Sequence, residues 1–294
     1  GFISVEGSPL DEGVDRVPCQ RSLPMIFPGD AAEETEGLSE SAEDIHKMQE
    51  KYSGRIPGAN LHYKDAVELV TEGASEVCLV VEQDVMACRS RNVVARIEGT
   101  DKKDEILTIT AHYDSVPEGP GAYDNMAGAA IIMELCRYFQ QYRPRRTMEF
   151  VWFGAEEKGL LGSRDYIRVH ESELGAHRFN MNVDLAGQLI GGNVLGVTGE
   201  ASVCDKLLEV ADGAGIGASV KNQIWGSDSN SFAWKGIPAM TLNRDGFGMH
   251  TRYDTIDLLS AWSLERSAIL LGCIADALGN AEVFPFERKM PEKF

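Results

Sequence analysis

The amino-acid sequence predicts an α/β protein with a doubly wound, mostly parallel sheet flanked by helices, and a smaller β-containing lobe at its N-terminal end. From residue 91 onward, short apolar runs alternate regularly with helical patterns. Such alternation is typical of βαβ units, whose helices cover both faces of one sheet. Residues 1–88 are acidic and weakly periodic by comparison. We therefore divide the chain into an N-terminal segment, 1–88, and a larger domain, 89–294.

The larger domain contains ten predicted elements. Strands are predicted where apolar and β-branched residues run together: 91–99, 106–113, 146–155, 178–186, 193–198 and 237–242. Helices are predicted from the longer periodic segments: 126–139, 159–170, 203–214 and 263–278. The first of these helices is apolar all round, which predicts that it is buried on every side.

The N-terminal segment carries half of the net charge of the chain. Residues 1–50 hold 12 Asp and Glu against 3 Lys and Arg, a balance of −9 out of −18. We interpret this stretch as a solvated acidic segment, and a surface for basic partners is the alternative. Local patterns predict strands at 22–27 and 75–83, and helices at 41–52 and 60–73.

Composition excludes several classes of partner. A net charge of −18 disfavours nucleic acid and anionic membrane surfaces. No apolar run approaches the ~18–20 residues of a membrane span. The six cysteines form no CxxC pair, which disfavours a thiolate metal site. No signal peptide is visible, but the chain begins with Gly, so cytoplasmic and secreted locations both stay open. The sequence does not indicate an oligomeric state.

Histidine and carboxylate residues follow the predicted strands. Four strands each lead into one or two of them: His112, Glu156 with Glu157, Asp184, and His250. Asp124 lies where the loop after the second strand meets the apolar helix. Ligands of open α/β sheets bind at the carboxyl ends of the strands, so these side chains are expected to converge on one edge.

The residue types at this edge suit zinc. Zinc takes imidazole nitrogen and carboxylate oxygen, and catalytic sites leave a position for water. Two histidines and the carboxylates of Asp124, Glu157 and Asp184 suit two ions if one carboxylate bridges them. Three carboxylates and one hydroxide also offset the four positive charges of two Zn²⁺.

Two further carboxylates have predicted supporting tasks. Neighbouring residues at an extended strand end point to opposite sides. Glu157 can therefore face the metal while Glu156 faces water and substrate for proton transfer. Asp114 lies two residues from His112, on the same side of an extended segment, where it can accept the free imidazole N–H.

Seven short motifs together resemble the dizinc aminopeptidases of the family that also includes glutamate carboxypeptidase and glutaminyl cyclase. They occur in the family's order within residues ~90–280: HYDS, GAYDN, GAEEKGLLGS, NVDLAG, SDSNSF, GIPAMTL and HTRYDT. The resemblance implies a zinc exopeptidase fold for this domain. Before this domain, the stretches LPMIF, IPGANLHYKDAVELV and EVCLVV resemble part of the protease-associated insert found in many relatives, although the helices that usually precede that insert are missing or rearranged here.

The resemblance implies a role for each candidate residue. His112 and Asp184 would hold one zinc ion, Glu157 and His250 the other, and Asp124 would bridge them. Glu156 would be the general base and Asp114 would support His112. The resemblance also implies a cis peptide bond between Asp124 and Asn125.

The expected activity is zinc-dependent hydrolysis of peptides, with release of N-terminal residues. Two zinc ions would hold a bridging water, from which Glu156 would take a proton. A carboxypeptidase or dipeptidase, a single-zinc cyclase and a non-catalytic binding relative stay open as well. One departure is Met249, where some members have tyrosine before the last histidine. Stabilisation of the oxyanion is then expected from zinc together with Tyr253, Ser227 or Arg244.

Overall fold

The computed structural model of the chain describes residues 2–6, 58–78, 88–117, 119–223 and 225–294. The chain divides into two compact units, Gly1–Arg89 and Ser90–Phe294. Among the described residues, none of the helices could span a membrane.

The described part of the first unit is a two-stranded parallel sheet with one helix. Strand β1 (Phe2–Glu6) pairs with β2 (Gly58–His62), and helix α1 (Tyr63–Thr71) follows without a loop. His62 ends the strand and caps the helix, because its Nδ1 accepts the backbone N–H of Lys64 at 3.1 Å.

This unit corrects one sequence prediction. A single helix was predicted over 60–73, whereas residues 60–62 belong to β2. Pairing with β1, distant in sequence, gives these residues backbone partners that local periodicity does not reveal. The predictions for 22–27 and 41–52 lie outside the described residues, as does 79–83; residues 75–78 form no strand. The protease-associated-type lobe stays a prediction.

The second unit is a sheet flanked by helices. Its strands are β3 (Val93–Ile97), β4 (Lys102–His112), β5 (Arg146–Phe153), β6 (His177–Val183), β7 (Asn193–Thr198), β8 (Ala218–Asn222) and β9 (Ala239–Arg244). Its α-helices are α2 (Ala127–Gln141), α3 (Leu161–Val169), α4 (Ala201–Gly213), α5 (Ser229–Ala233) and α6 (Ala261–Asn280). Short π or 3-10 turns cover Ala122–Met126, Glu171–Ala176 and Ile256–Leu258.

The seven strands form one mixed sheet in the order β3-β5-β4-β6-β9-β7-β8. The pairs β5–β4, β4–β6, β6–β9 and β7–β8 are parallel, and β3–β5 and β9–β7 are antiparallel. The predicted α/β class with a mostly parallel sheet is therefore confirmed. Strand β8 and helix α5 were not predicted, because the edge strand ASVKN is only half-buried and α5 is a single short turn.

Helix α2 corrects a second prediction. It was expected to be buried on all sides, but Met133 and Tyr138 are exposed. The residues that it buries lie on one face, which includes Ile132, Leu135 and Phe139. A helix that covers one face of a sheet has solvent on its outer side. The apolar residues on that outer side are therefore exposed and do not show that the helix is buried all round.

Alternation along β4 gives the two faces of the sheet different chemistry. Leu107, Ile109 and Ala111 belong to the main apolar core with α2, α4 and α6. The alternate residues Thr108 and Thr110 are buried on the opposite face, and this series leads to His112. One face of β4 thus packs in the apolar core, and the other face carries polar side chains that lead to the edge of the sheet.

Buried His177 makes stability depend on pH. It opens β6, where its Nδ1 lies 2.7 Å from Thr108 Oγ1. Burial lowers the pKa of His177 from 6.5 to about 4, and the charges of Arg96 and Arg288 add to this effect. The unfolded chain therefore binds more protons between pH 6.5 and 4, so the free energy of unfolding falls as the pH falls through that window.

We expect His177 to lower the free energy of unfolding of the wild type by about 2 kcal/mol between pH 7 and pH 5. This pH-dependent loss should be absent in His177→Gln. Urea unfolding with chelator present measures the stability difference between the two proteins at each pH. His170→Gln, a half-buried histidine near the same strand end, is the matched control. A difference between wild type and His177→Gln that does not change with pH contradicts this account.

Candidate metal centre

The candidate residues gather at the carboxyl edge of the sheet. His112 is the last residue of β4, and Asp184 immediately follows β6. Glu156 and Glu157 follow β5, which is the other parallel neighbour of β4. Because β4, β5 and β6 run in the same direction, their ends meet at one edge. Asp124 reaches this edge from the turn that opens α2.

Five side chains form two groups that share one carboxylate. His112 Nε2 lies 3.1 Å from Asp124 Oδ1 and 3.4 Å from Asp184 Oδ1. His250 Nε2 lies 3.0 Å from Asp124 Oδ2 and 3.1 Å from Glu157 Oε2. The possible ligand atoms of each group lie within 4.8 Å of one another. The two oxygens of Asp124 thus face different histidines.

The charges of the two groups are strongly coupled. Burial opposes ionisation of Asp124, yet His112 and His250 lower its pKa to about 2. Hydrogen bonds to Asp124 and Glu157 raise the pKa of His250 to about 10. Burial opposes protonation of His112, but the charge of Asp184 and hydrogen bonds to neighbouring carboxylates raise its pKa well above 6.5. Each imidazole therefore sits where a positive charge is strongly favoured.

The donor set fits two divalent cations. Each group offers one imidazole nitrogen and two carboxylates, the ligands that zinc takes in catalytic sites. Glu157 Oε1 is buried and has no hydrogen-bond partner among the described residues. In the described part of the chain, no lysine or arginine forms an ion pair with Asp124, Glu157 or Asp184. Buried carboxylates without such partners are the expected surroundings of a cation.

Glu156 lies beside the two groups but belongs to neither. It is nearly buried, and burial is the largest cause of a pKa well above the usual range. Repulsion from Asp228, Asp184 and Glu157 adds to this effect, while His112 opposes it. A carboxylate held in this way is suited to gaining and losing a proton during a reaction.

Asp114 supports both the histidine and the glutamate pair. Its carbonyl oxygen lies 3.1 Å from His112 Nδ1, whereas its nearest carboxylate oxygen lies 3.7 Å from that nitrogen. The carboxylate instead accepts the backbone N–H groups of Glu156 at 3.0 Å and Glu157 at 3.3 Å. The closest support for His112 therefore comes from the backbone of Asp114, and its side chain fixes the turn that carries the glutamates.

The SDSNSF segment contributes two residues whose positions the sequence did not reveal. Ser227 donates a hydrogen bond of 2.6 Å to Asp184 Oδ2 and accepts one of 2.7 Å from Asn182 Nδ2. Asp228 is fully buried, and burial raises its pKa to about 7. Neither carboxylate oxygen of Asp228 has a partner among the described residues, so its side chain does not cap α5.

Arg244 and Tyr253, two of the expected oxyanion donors, are engaged elsewhere. The Arg244 guanidinium is buried and donates to the carbonyl oxygens of Gln188 and Leu189, at 2.5 and 3.1 Å. Tyr253 is half exposed, and its hydroxyl accepts a hydrogen bond from Arg252. Their expected role stays a prediction, as do the assigned roles of the metal ligands and of Glu156.

Unusual backbone conformations coincide with the centre. His250 has a φ of +59°, and Ala155 and Leu185, which adjoin Glu156 and Asp184, have φ of 60° and 69°. Non-glycine residues rarely adopt this left-handed region, and strained conformations of this kind cluster at functional sites. The peptide bond between Asp124 and Asn125 is cis, as the resemblance implies.

The fold and this carboxylate-rich edge define a metallohydrolase-type α/β domain, and comparison with known proteins gives the family. The sequence profile of peptidase family M28 matches residues 92–272, more than half of the chain. The chain therefore belongs to peptidase family M28, which confirms the resemblance seen in the motifs.

The proteins that are similar in sequence include both aminopeptidases and carboxypeptidases. Aminopeptidase YwaD of Bacillus subtilis is 30% identical over 161 residues, which cover 54% of this chain and 32% of the relative. Carboxypeptidase Q of Rattus norvegicus is 26% identical over 241 residues, which cover 78% and 51%. The chain thus spans about a third to a half of the length of these relatives.

Solved structures share the fold. The zinc aminopeptidase BSAP from Bacillus subtilis matches with a TM-score of 0.65 and 24% identity, over 81% of this chain and 63% of that one. A peptidase M28 precursor from Shewanella amazonensis matches with a TM-score of 0.65 and 27% identity, over 80% and 56%.

The contact between Ser227 and Asp184 predicts an effect on metal affinity. Ser227→Ala removes the donor that orients the Asp184 carboxylate, so we expect zinc affinity to fall by roughly 10- to 100-fold. Competition with a chromogenic chelator measures it. Ser231→Ala is the matched control, because Ser231 is also buried but bonds to Ser163 instead. Equal affinity in both variants contradicts the assigned contact.

Proposed function

We propose that the protein is a zinc-dependent aminopeptidase that holds two zinc ions per chain. The observation that carries this proposal is the pair of donor groups sharing Asp124. His112 and Asp184 would hold one ion, and His250 and Glu157 the other. When bound, zinc polarises a carbonyl oxygen and lowers the pKa of water.

Glu156 is proposed to move the proton. It lies beside both groups without belonging to either, and its backbone N–H is fixed by Asp114. Its carboxylate accepts the proton lost by the attacking water and then gives it to the nitrogen of the leaving amine. The peptide C–N bond breaks as the amine gains this proton, so Glu156 returns to its starting state.

The charge around the centre favours binding of a free amine over a free carboxylate. Although burial opposes this, a hydrogen bond to His112 and backbone N–H groups lower the pKa of Asp114, which adds a negative charge beyond the proposed ligands. Arg244 is the buried arginine nearest in sequence to His250. Its guanidinium nitrogens donate hydrogen bonds to carbonyl and amide oxygens of the protein. The three ligand carboxylates and one hydroxide offset the charge of two zinc ions, so the Asp114 carboxylate gives the centre a negative balance that attracts a substrate's ammonium group. This supports an aminopeptidase rather than a carboxypeptidase.

A single-zinc cyclase and a non-catalytic relative have less support from the site. A cyclase of that kind needs one of the two donor groups, yet both groups here contain a histidine and two carboxylates. A non-catalytic relative would have no need for Glu156, which is buried beside them. Peptide substrates are accordingly part of the proposal.

Changing Glu156 separates proton transfer from metal binding. We expect Glu156→Gln to keep both zinc ions and to lose at least 100-fold in kcat, within the ~10²–10⁴-fold range of general acid–base catalysis. Glu157→Gln is the matched comparison and should lose zinc. Elemental analysis and hydrolysis of a chromogenic amino-acid amide, with and without chelator, measure both properties. Normal turnover by Glu156→Gln would remove this residue from the mechanism.

Blocking either end of a short peptide tests the direction of cleavage. We expect N-acetylation to abolish hydrolysis because it removes the cationic amine, and C-terminal amidation to leave the rate within a few-fold. Chromatography of the products identifies the released residue. The opposite pattern, with the amidated peptide resistant, would establish a carboxypeptidase.

A further inference from the structure

Three consecutive backbone N–H groups beside the metal centre are bound by one residue. Asp254 accepts the N–H of Tyr123 on Oδ1 at 2.5 Å and the N–H of Asp124 on Oδ2 at 3.0 Å. Its own carbonyl oxygen accepts the N–H of Ala122 at 3.2 Å. Asp254 is 1% exposed, so these contacts are shielded from water.

These N–H groups belong to the turn that opens α2. The first N–H groups of a helical segment have no partner within it and need an acceptor from elsewhere. Gly121, at the cap position, makes no side-chain cap hydrogen bond. A carboxylate is a strong acceptor for such N–H groups. Asp254 thus supplies the cap from a distant part of the sequence.

The same residue lies four positions after His250. The backbone between them is folded tightly, because Asp254 N–H bonds to the Thr251 carbonyl at 3.1 Å. Thr251 Oγ1 in turn donates to the carbonyl of Gly248 at 2.7 Å. The bonds between Thr251 and Gly248 span His250, which has a left-handed conformation. The segment that carries His250 and the turn that carries Asp124 are therefore joined through Asp254.

We propose that Asp254 is a positioning residue that sets the separation of His250 and Asp124, and so controls zinc binding by the group that contains His250. The separation in question is the 3.0 Å between His250 Nε2 and Asp124 Oδ2. This inference rests on the proposed zinc chemistry. Asp254 does not belong to either donor group, so it acts through the backbone of Asp124 and the loop of His250.

The variant Asp254→Asn tests this arrangement with little change in volume. Asparagine has one side-chain acceptor, so only one of the two N–H groups keeps its partner, and the new amide group faces the other donor. We expect the affinity of one of the two zinc-binding steps, which we assign to the group that contains His250, to fall by roughly 10- to 100-fold. Competition with a chromogenic chelator, titrated in two steps, measures this without reference to activity.

Asp257→Asn is the matched control. Asp257 is exposed in the following 3-10 turn and loses the same charge on substitution. We expect wild-type affinity in this control. Equal losses in both variants, or no loss in folded Asp254→Asn, overturn the inference. A wild-type protein that takes up no zinc overturns the proposed function instead, so the two failures are distinguishable.

Amide hydrogen exchange of the zinc-free wild type provides a test if Asp254→Asn does not fold. The N–H groups of Ala122, Tyr123 and Asp124 should exchange as slowly as those of the central strand β4, because all three are bound by one buried residue. Exchange at the rate of exposed loop amides would show that Asp254 does not hold this turn, and would overturn the inference.

Discussion

The site depends on one buried carboxylate that two histidines share. Asp124 presents Oδ1 to His112 and Oδ2 to His250 at nearly equal distances, and these contacts hold its pKa near 2 despite burial. A buried carboxylate is costly unless it is paired, so every element that carries a partner must arrive at a fixed position. The end of β4, the turn before α2 and the loop after β9 are therefore constrained together.

The two faces of the sheet differ in chemistry along β4 and β6. One face packs apolar side chains of β4 and β6 against α2, α4 and α6. The other buries a polar series in which Thr110 donates to Asn182, Asn182 to Ser227, and Ser227 to Asp184. Hydrogen bonds are strong in a low-dielectric interior, and a buried polar group without a partner there lowers the stability of the fold. This series connects the rigid sheet to a proposed metal ligand.

Much of this arrangement can be predicted from the sequence, because parallel strands must end at one edge. The strand patterns before His112 and Asp184 place both residues there without any knowledge of packing. Errors arose where long-range contacts override local pattern. Residues 60–62 pair with a distant strand instead of extending a helix, and α2 exposes apolar side chains because it covers only one face.

The sequence by itself determined the α/β class, the sites where strands end and the residue types that meet a cation. These follow from periodicity and side-chain chemistry, which are local properties of the chain. Tertiary structure decided which oxygen faces which partner. In the folded chain, the Asp114 carboxylate accepts a hydrogen bond from the backbone of the glutamate pair, and the Ser227 hydroxyl donates one to Asp184. The Asp254 carboxylate accepts the backbone N–H of Asp124. Hydrogen bonds depend on distances of a few tenths of an ångström between segments far apart in sequence, and only packing sets those distances.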